Sequence, residues 1–395
     1  MKNNKNTVFI TFLFAAMLCL NACTQMNTSN PWNIPTTQTP NTNVPVNVPT
    51  PVTNNGQQSI NVALLLPLTG RNAALGQSML QSAQMALFEI NNPILNLVPR
   101  DTKGTASGAQ MAAQSAIGDG AQLIIGPVFA DAVRAVKPLA RQSNLNIIAF
   151  STDQSLADPN TFLMGLMPTT QANVIANHAT KSGLTNISII APRGAYGDIV
   201  TTAFDKTARQ NGATIQQIVR YASNDPDLGS NINAMTSNID AVFMPAGGAE
   251  ARAISDYLDQ NNMPTSKVRR LGTGLWENPT IVRLPSLDGG QFANPSPQNR
   301  NYFDQKYQNT YGTKPVRIAS LSFDATALAA KLIQNAQRAG SPNPFTQSAI
   351  TNINGFAGTD GILRFNRNGI VERKLSILEL RNATIVEIAP AARQF

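Results

Sequence analysis

Apolar positions along this chain fall into three regimes. Val8 to Leu18 is an apolar run preceded by Lys2 and Lys5; its length suits a signal segment and falls short of the about 20 residues that a membrane-spanning helix needs. Thr24 to Gln58 carries no charged side chain and interleaves Pro31, Pro35, Pro40, Pro45, Pro49 and Pro51 with Asn, Thr, Gln and Val. Such a stretch cannot bury a core, and its prolines favour extended conformations, so residues 24–58 are expected to form a tether reaching at most ~110 Å. From Ser59 onward, short continuous apolar runs alternate with stretches whose apolar residues recur at helical spacing.

That alternation predicts strands and helices in turn. Ile60 to Pro67 is a nearly unbroken apolar run, as in a strand buried on both faces of a parallel sheet. Met79, Ala83, Ala86, Leu87 and Ile90 then mark one helical face. Strands are predicted at 95–100, 123–125 and 147–150, with helices at 105–117 and 130–143 between them. After Pro168 the scheme repeats: helix 169–182, strand 187–190, helix 197–210, strands 214–221 and 241–244, and helix 249–261. Helices at 299–311 and 320–339 and short strands at 361–365, 374–380 and 384–388 complete the chain. The pattern implies an α/β protein of two doubly wound lobes, with a central cleft where such folds bind ligands. A length of about 337 residues after the tether suits two cores better than one.

Leu20-Asn21-Ala22-Cys23 closes the first apolar run with small residues and a cysteine. It resembles a bacterial lipoprotein signal, so residues 1–22 are expected to be removed and Cys23 to carry lipid as the first mature residue. Thr24 follows where inner-membrane lipoproteins usually carry Asp, and by that resemblance the protein sorts to the outer membrane, facing the periplasm. The other cysteine, Cys19, leaves with the signal, so no disulfide is expected even in a compartment that permits one. Loss of Lys2 and Lys5 leaves 28 basic against 22 acidic side chains, a net +6. The excess is scattered, its densest run being Lys267-Val268-Arg269-Arg270, and specific nucleic-acid binding is not expected.

Catalysis is not expected either. His178 is the sole histidine and falls three and four residues after Ile175 and Val174, where a packed or capped side chain is expected rather than a base. Cysteine and histidine metal sites are absent, Gly76-Gln77-Ser78 lacks the second glycine of a nucleophile elbow, and neither a P-loop nor Gly-x-Gly-x-x-Gly follows a strand. No cofactor is implied.

Val62 to Gly70, Ile124-Ile125-Gly126-Pro127 and Ile147 to Thr152 together resemble the N-terminal lobe of type I periplasmic binding proteins of the leucine-binding class. Tyr196-Gly197, Phe323-Asp324-Ala325 and Gly361 to Phe365 continue the resemblance over residues 59–395. The Leu-Leu-Leu-Pro-Leu-Thr-Gly opening and the Gly-Pro-Val-Phe loop on a lipoprotein are most similar to penicillin-binding protein activators. That resemblance implies contact with a peptidoglycan synthase; the best-known activators also carry a helical-repeat domain where this chain has the tether.

The resemblance further implies three crossings between lobes, with about 59–168 plus 292–352 in the first and 169–291 plus 353–395 in the second. The ligand cleft would then draw on Thr69, Gly126, Phe129, Ser151, Thr152, Tyr196, Glu250 and Trp276, with Asp324 near the hinge. Ser151 and Thr152 suit the loop that holds a ligand carboxylate, Tyr196 an aromatic contact, and Glu250 an ammonium group. Phe129 stands where a hydroxyl is expected. A synthase activator is therefore the leading expectation, and a receptor that hands an amino acid or small amide to an ABC transporter is the alternative.

Overall fold

Strand β1 (Ile60–Leu66) is buried over Val62–Leu66 and hydrogen-bonds to a neighbour on each side, which explains the apolar run over those five residues. The computed structural model describes residues 59–236 and 238–395; the expected signal, the lipid site at Cys23 and the tether lie outside them. The chain continues through α1 (Ala73–Ile90), β2 (Leu95–Asp101), α2 (Ala106–Gly118), β3 (Leu123–Ile125), α3 (Ala130–Gln142), β4 (Asn146–Ala149) and β5 (Thr161–Leu163). These strands form a parallel sheet in the order β2-β1-β3-β4-β5. Pro99 lies in β2, an edge strand, where its missing N–H costs the ladder little.

The second lobe contains α4 (Pro168–Lys181), β6 (Asn186–Pro192), α5 (Ala195–Gln210), β7 (Thr214–Tyr221), α6 (Leu228–Asn233), β8 (Ala241–Phe243), α7 (Gly248–Gln260), β9 (Arg269–Gly272), α8 (Pro279–Val282) and β10 (Gln291–Asn294). Its parallel strands run β7-β6-β8-β9-β10, the same permutation as in the first sheet. α9 (Pro297–Tyr311), α10 (Ala319–Ala339), α11 (Gln347–Ile350), β11 (Leu363–Phe365) and β12 (Val371–Arg373) follow, then β13 (Ser376–Arg381) and β14 (Thr384–Ala389). β13 joins β10 antiparallel and β14 pairs with β13, extending the second sheet to seven strands.

Two of the expected lobe boundaries move. Residues 353–373 belong with the first lobe: Leu363, Phe365 and Val371 enter its core, and the Phe365 ring meets Phe162 of β5 edge-on at 5.4 Å. Residues 292–294 belong with the second, because β10 pairs with β9 and β13. The crossings therefore fall at Met164–Met167, Pro295–Ser296 and Lys374–Leu375. The basic run at 267–270 is also not a surface patch. Arg270 lies in β9 with none of its surface exposed, pairing with Asp259 at 2.9 Å and donating to the carbonyls of Met263 and Val268.

Candidate functional site

In a doubly wound sheet the ligand crevice opens at the carboxyl ends of the strands where the order reverses. In the first lobe this is the gap between the loops after β1 and β3. Gly126 turns the second loop with φ +90°, and a Cβ there would stand 2.3 Å from the Leu65 carbonyl oxygen, so only glycine fits. Phe129 follows at the start of α3, half-buried, its ring beside Gly104.

The first loop is already occupied by a carboxylate of the protein itself. Asp101, at the end of β2, accepts the backbone N–H groups of Leu68 at 2.9 Å, Thr69 at 3.2 Å and Lys103 at 2.8 Å, and the Thr69 hydroxyl at 2.6 Å. Burial opposes its ionisation, but these hydrogen bonds outweigh burial and hold its pKa below the usual carboxylate value. Thr69 thus serves Asp101. Beyond β4, Ser151 is buried and its Oγ accepts the Asp153 N–H at 3.1 Å, whereas Thr152 is exposed. Gln154 in the same loop donates to Thr169 Oγ1 at 2.6 Å, linking it to the first turn of α4.

The second lobe builds its face from side chains. Tyr196, in the first turn of α5, brings its hydroxyl to 3.0 Å from Thr273 Oγ1. Gly197 lets that turn approach the strand: a Cβ would lie 1.8 Å from the Pro192 carbonyl oxygen. Glu250, in the first turn of α7, accepts from Ser223 Oγ at 3.3 Å. Beside them Tyr221 is buried at the end of β7, and its pKa is driven upward by burial and then by the Glu250 and Tyr196 groups. Tyr196 titrates high too, through burial that the Thr273 hydrogen bond only partly offsets.

Two folded lobes with these loops at their switch points match the family model "Periplasmic binding protein" over residues 59–384. The chain belongs to the periplasmic binding protein family. A penicillin-binding protein activator, LpoA, from Dickeya chrysanthemi is 25% identical over 321 residues, covering 68% of this chain and 44% of the relative. A Leu/Ile/Val-binding protein, BraC3, from Rhizobium johnstonii is 26% identical over 304 residues, covering 71% and 79%. In architecture, a branched-chain amino acid ABC transporter periplasmic ligand-binding protein from Burkholderia xenovorans superposes with a TM-score of 0.69 at 16% identity, over 84% of this chain and 96% of that one. The chain spans about half the length of the activators it matches.

Within this periplasmic binding protein, Trp276 is not part of the cleft. It has no exposed surface, donates from Nε1 to the Ala246 carbonyl at 3.1 Å and packs on Phe292. Gly272 and Gly290 make room for the indole; its neighbour Leu275 is 46% exposed. The loop turns between those two residues, so the wider aromatic goes inward.

Asp324 lies in the second turn of α10, buried, and accepts the Thr359 N–H at 2.7 Å. It caps a neighbouring turn rather than the start of its own helix. His178 is packed as expected: its Nε2 meets Gln291 Oε1 at 3.2 Å, and burial lowers its pKa more than that bond raises it. Sequence reading missed Asp101, Tyr221, Ser223 and Thr273. Tyr221 closes a predicted strand and Thr273 follows β9, and the rule that crevices open at strand ends is the available signal; Asp101 just follows a predicted strand and offers the same one. Among the described residues no cluster of His, Cys, Asp and Glu suits a metal ion, and no helix is long and apolar enough to cross a membrane.

Proposed function

We propose that this periplasmic binding protein is a lipid-anchored regulator that docks on a penicillin-binding protein and raises its peptidoglycan-synthase activity, without catalysis of its own. The observation that carries the reading is Asp101. A receptor for amino acids needs free donors in its first lobe for the ligand carboxylate, each charge-assisted bond adding roughly 1.5–3 kcal/mol. Here the β1 loop spends its donors on an internal carboxylate, and Phe129 brings no hydroxyl to the next loop. Matches to activators from several organisms support the same direction. Cys23 would fix the chain in the outer membrane, and residues 24–58 would supply reach to a synthase.

The test is a polymerisation assay with purified synthase and the full chain. A rise in glycan-strand synthesis or cross-linking on addition of the chain is expected; an unchanged rate with every synthase of the same cell would sink the proposal. Shortening residues 24–58 should abolish the effect in cells and preserve it in solution, and equal loss in both settings would remove the role given to reach.

A second reading, a solute receptor, is favoured by one observation. The second-lobe wall of Tyr196, Tyr221 and Glu250 has the aromatic and acidic character that suits a ligand bearing an ammonium group. A ligand present at 100 times its dissociation constant adds about 2.7 kcal/mol of stability. A clear rise in melting temperature with one free amino acid would therefore move the conclusion to that reading.

A further inference from the structure

The proposed function makes no use of the charges buried at the hinge. Arg317, in the loop before α10, donates from Nε to Glu277 Oε2 of the second lobe at 2.8 Å and from Nη1 to Asp360 Oδ1 at 3.2 Å. Asn294, at the end of β10, donates to the same Glu277 oxygen at 2.8 Å, and Ser320 Oγ donates to Asp360 Oδ2 at 2.7 Å. Arg300 of α9 pairs with Asp304 at 2.8 Å and donates to the Arg317 carbonyl at 2.7 Å. This chain of contacts spans both lobes beside the second crossing.

Arg373, the residue before the third crossing, completes the group. Its guanidinium stands 3.8 Å from Asp324 Oδ2, too far for a hydrogen bond, and both side chains are buried. Neither that oxygen nor any of the three guanidinium nitrogens has a hydrogen-bond partner among the described residues. A buried ion pair that no hydrogen bond supports is costly, so the pair sits in a state that a small change can tip. Glu277, Asp304, Asp324 and Asp360 face Arg300, Arg317 and Arg373, so carboxylates outnumber guanidinium groups by one, with the exposed Lys331 lying along the cavity beside Asp324. Asp324 is the least well held of the four, and it lines a cavity of about 330 Å³ with Ile90, Leu328, Lys331 and Phe356. That cavity gives a proton a path to it.

We propose that Asp324 and Arg373 form a proton-operated latch on the third crossing: ionised Asp324 holds Arg373 and fixes the segment 373–375, and protonated Asp324 releases it, so that envelope pH sets the angle between the lobes. The groups that face Asp324 are Arg373 from β12, Asp360 and Thr359 from the turn before β11, and Lys331 along α10; Arg300 and Arg317 act through Asp360. Burial, reinforced by Asp360 and opposed by Arg373 and the Thr359 hydrogen bond, brings the Asp324 pKa up to about 6. Asp360 is also buried, but Arg317 and Arg373 hold its pKa below the usual value, so the proton goes to Asp324. The latch depends on the hinge alone and works whichever partner or ligand the cleft takes.

The test measures the distance between spin labels on the two lobes, at Gln142→Cys and Lys206→Cys in the full chain with Cys19 and Cys23 replaced by Ser, from about pH 5 to 7.5. Gln142 and Lys206 are exposed on α3 and α5. The distance distribution is expected to shift with a midpoint near pH 6, and D324N is expected to hold the low-pH distribution throughout. No shift in the parent, or an unchanged shift in D324N, overturns the latch. Where D324N fails to fold, carbon-13 titration of the Asp324 carboxyl in the unaltered chain decides: a midpoint above about pH 5 supports the latch and a lower one overturns it.

Discussion

The two lobes share one strand permutation and differ in how they fill its switch point. In the first lobe a backbone loop is tied off by Asp101, an internal anion that takes three N–H groups. In the second, Tyr196, Tyr221, Glu250, Ser223 and Thr273 form a wall of polar side chains that meet one another in pairs. One topology thus yields a half whose β1 loop is tied off from within and a half whose loops stay furnished with polar side chains. Fold alone does not decide what a cleft binds, because the outcome is written in a handful of loop side chains.

Four substitutions or titrations press on this contrast. The largest effect is expected where the second lobe is core rather than wall: Trp276→Ala should cost about 3–5 kcal/mol and lower the melting temperature by several degrees. A variant as stable as the parent would put the indole back in the cleft. Asp101→Ala should cost about 1 kcal/mol, the low end for stranded donors because water reaches this loop, and added acetate should recover part of the loss. If acetate has no effect, the loop is not a latent anion site.

Tyr196→Phe should cost about 1 kcal/mol or less by removing the contact with Thr273, and its effect should add to that of Asp101→Ala. Strong non-additivity would mean that the two faces touch and act together. The smallest effect concerns pH. The folded pKa of His178 lies below its unfolded value, so its contribution to stability is intact above about pH 6.5 and declines as pH falls through that value towards the folded one. His178→Gln should flatten this limb of a stability-pH curve. Asp324 works in the opposite sense, with a folded pKa above the unfolded value, so its buried charge weighs against the fold above about pH 6 and is relieved as pH falls towards 3.8.

Most of the first lobe is legible in its sequence because its strands are buried on both faces and read as apolar runs. β5, β9 and β10 escape for distinct reasons. Thr161-Phe162-Leu163 is too short to show a period, Arg269 and Arg270 disguise β9 as solvated surface, and Gln291 and Asn294 bracket only two apolar residues in β10. The lobe boundary fails at 353–373 because local pattern gives strands but not their partners; only packing shows Phe365 against Phe162. At the cleft, the loops were found through resemblance, but whether a loop's N–H groups are free depends on a carboxylate over 30 residues away, as with Leu68 and Asp101. Trp276 and Leu275 are adjacent, and nothing in their local sequence says which one turns inward.

The three crossings also order events during the making of the protein. The first lobe lacks α10 and the β11–β12 hairpin until Arg373 has been added, and the second lacks β13 and β14 until Ala389 has followed. Neither core can therefore close while the ribosome is still reading the middle of the message, although domains usually fold as units as they emerge. If the chain is exported unfolded as the proposed function requires, late closure keeps it threadable until synthesis is nearly done, and a chain cut before β11 would leave two incomplete lobes rather than one finished and one missing.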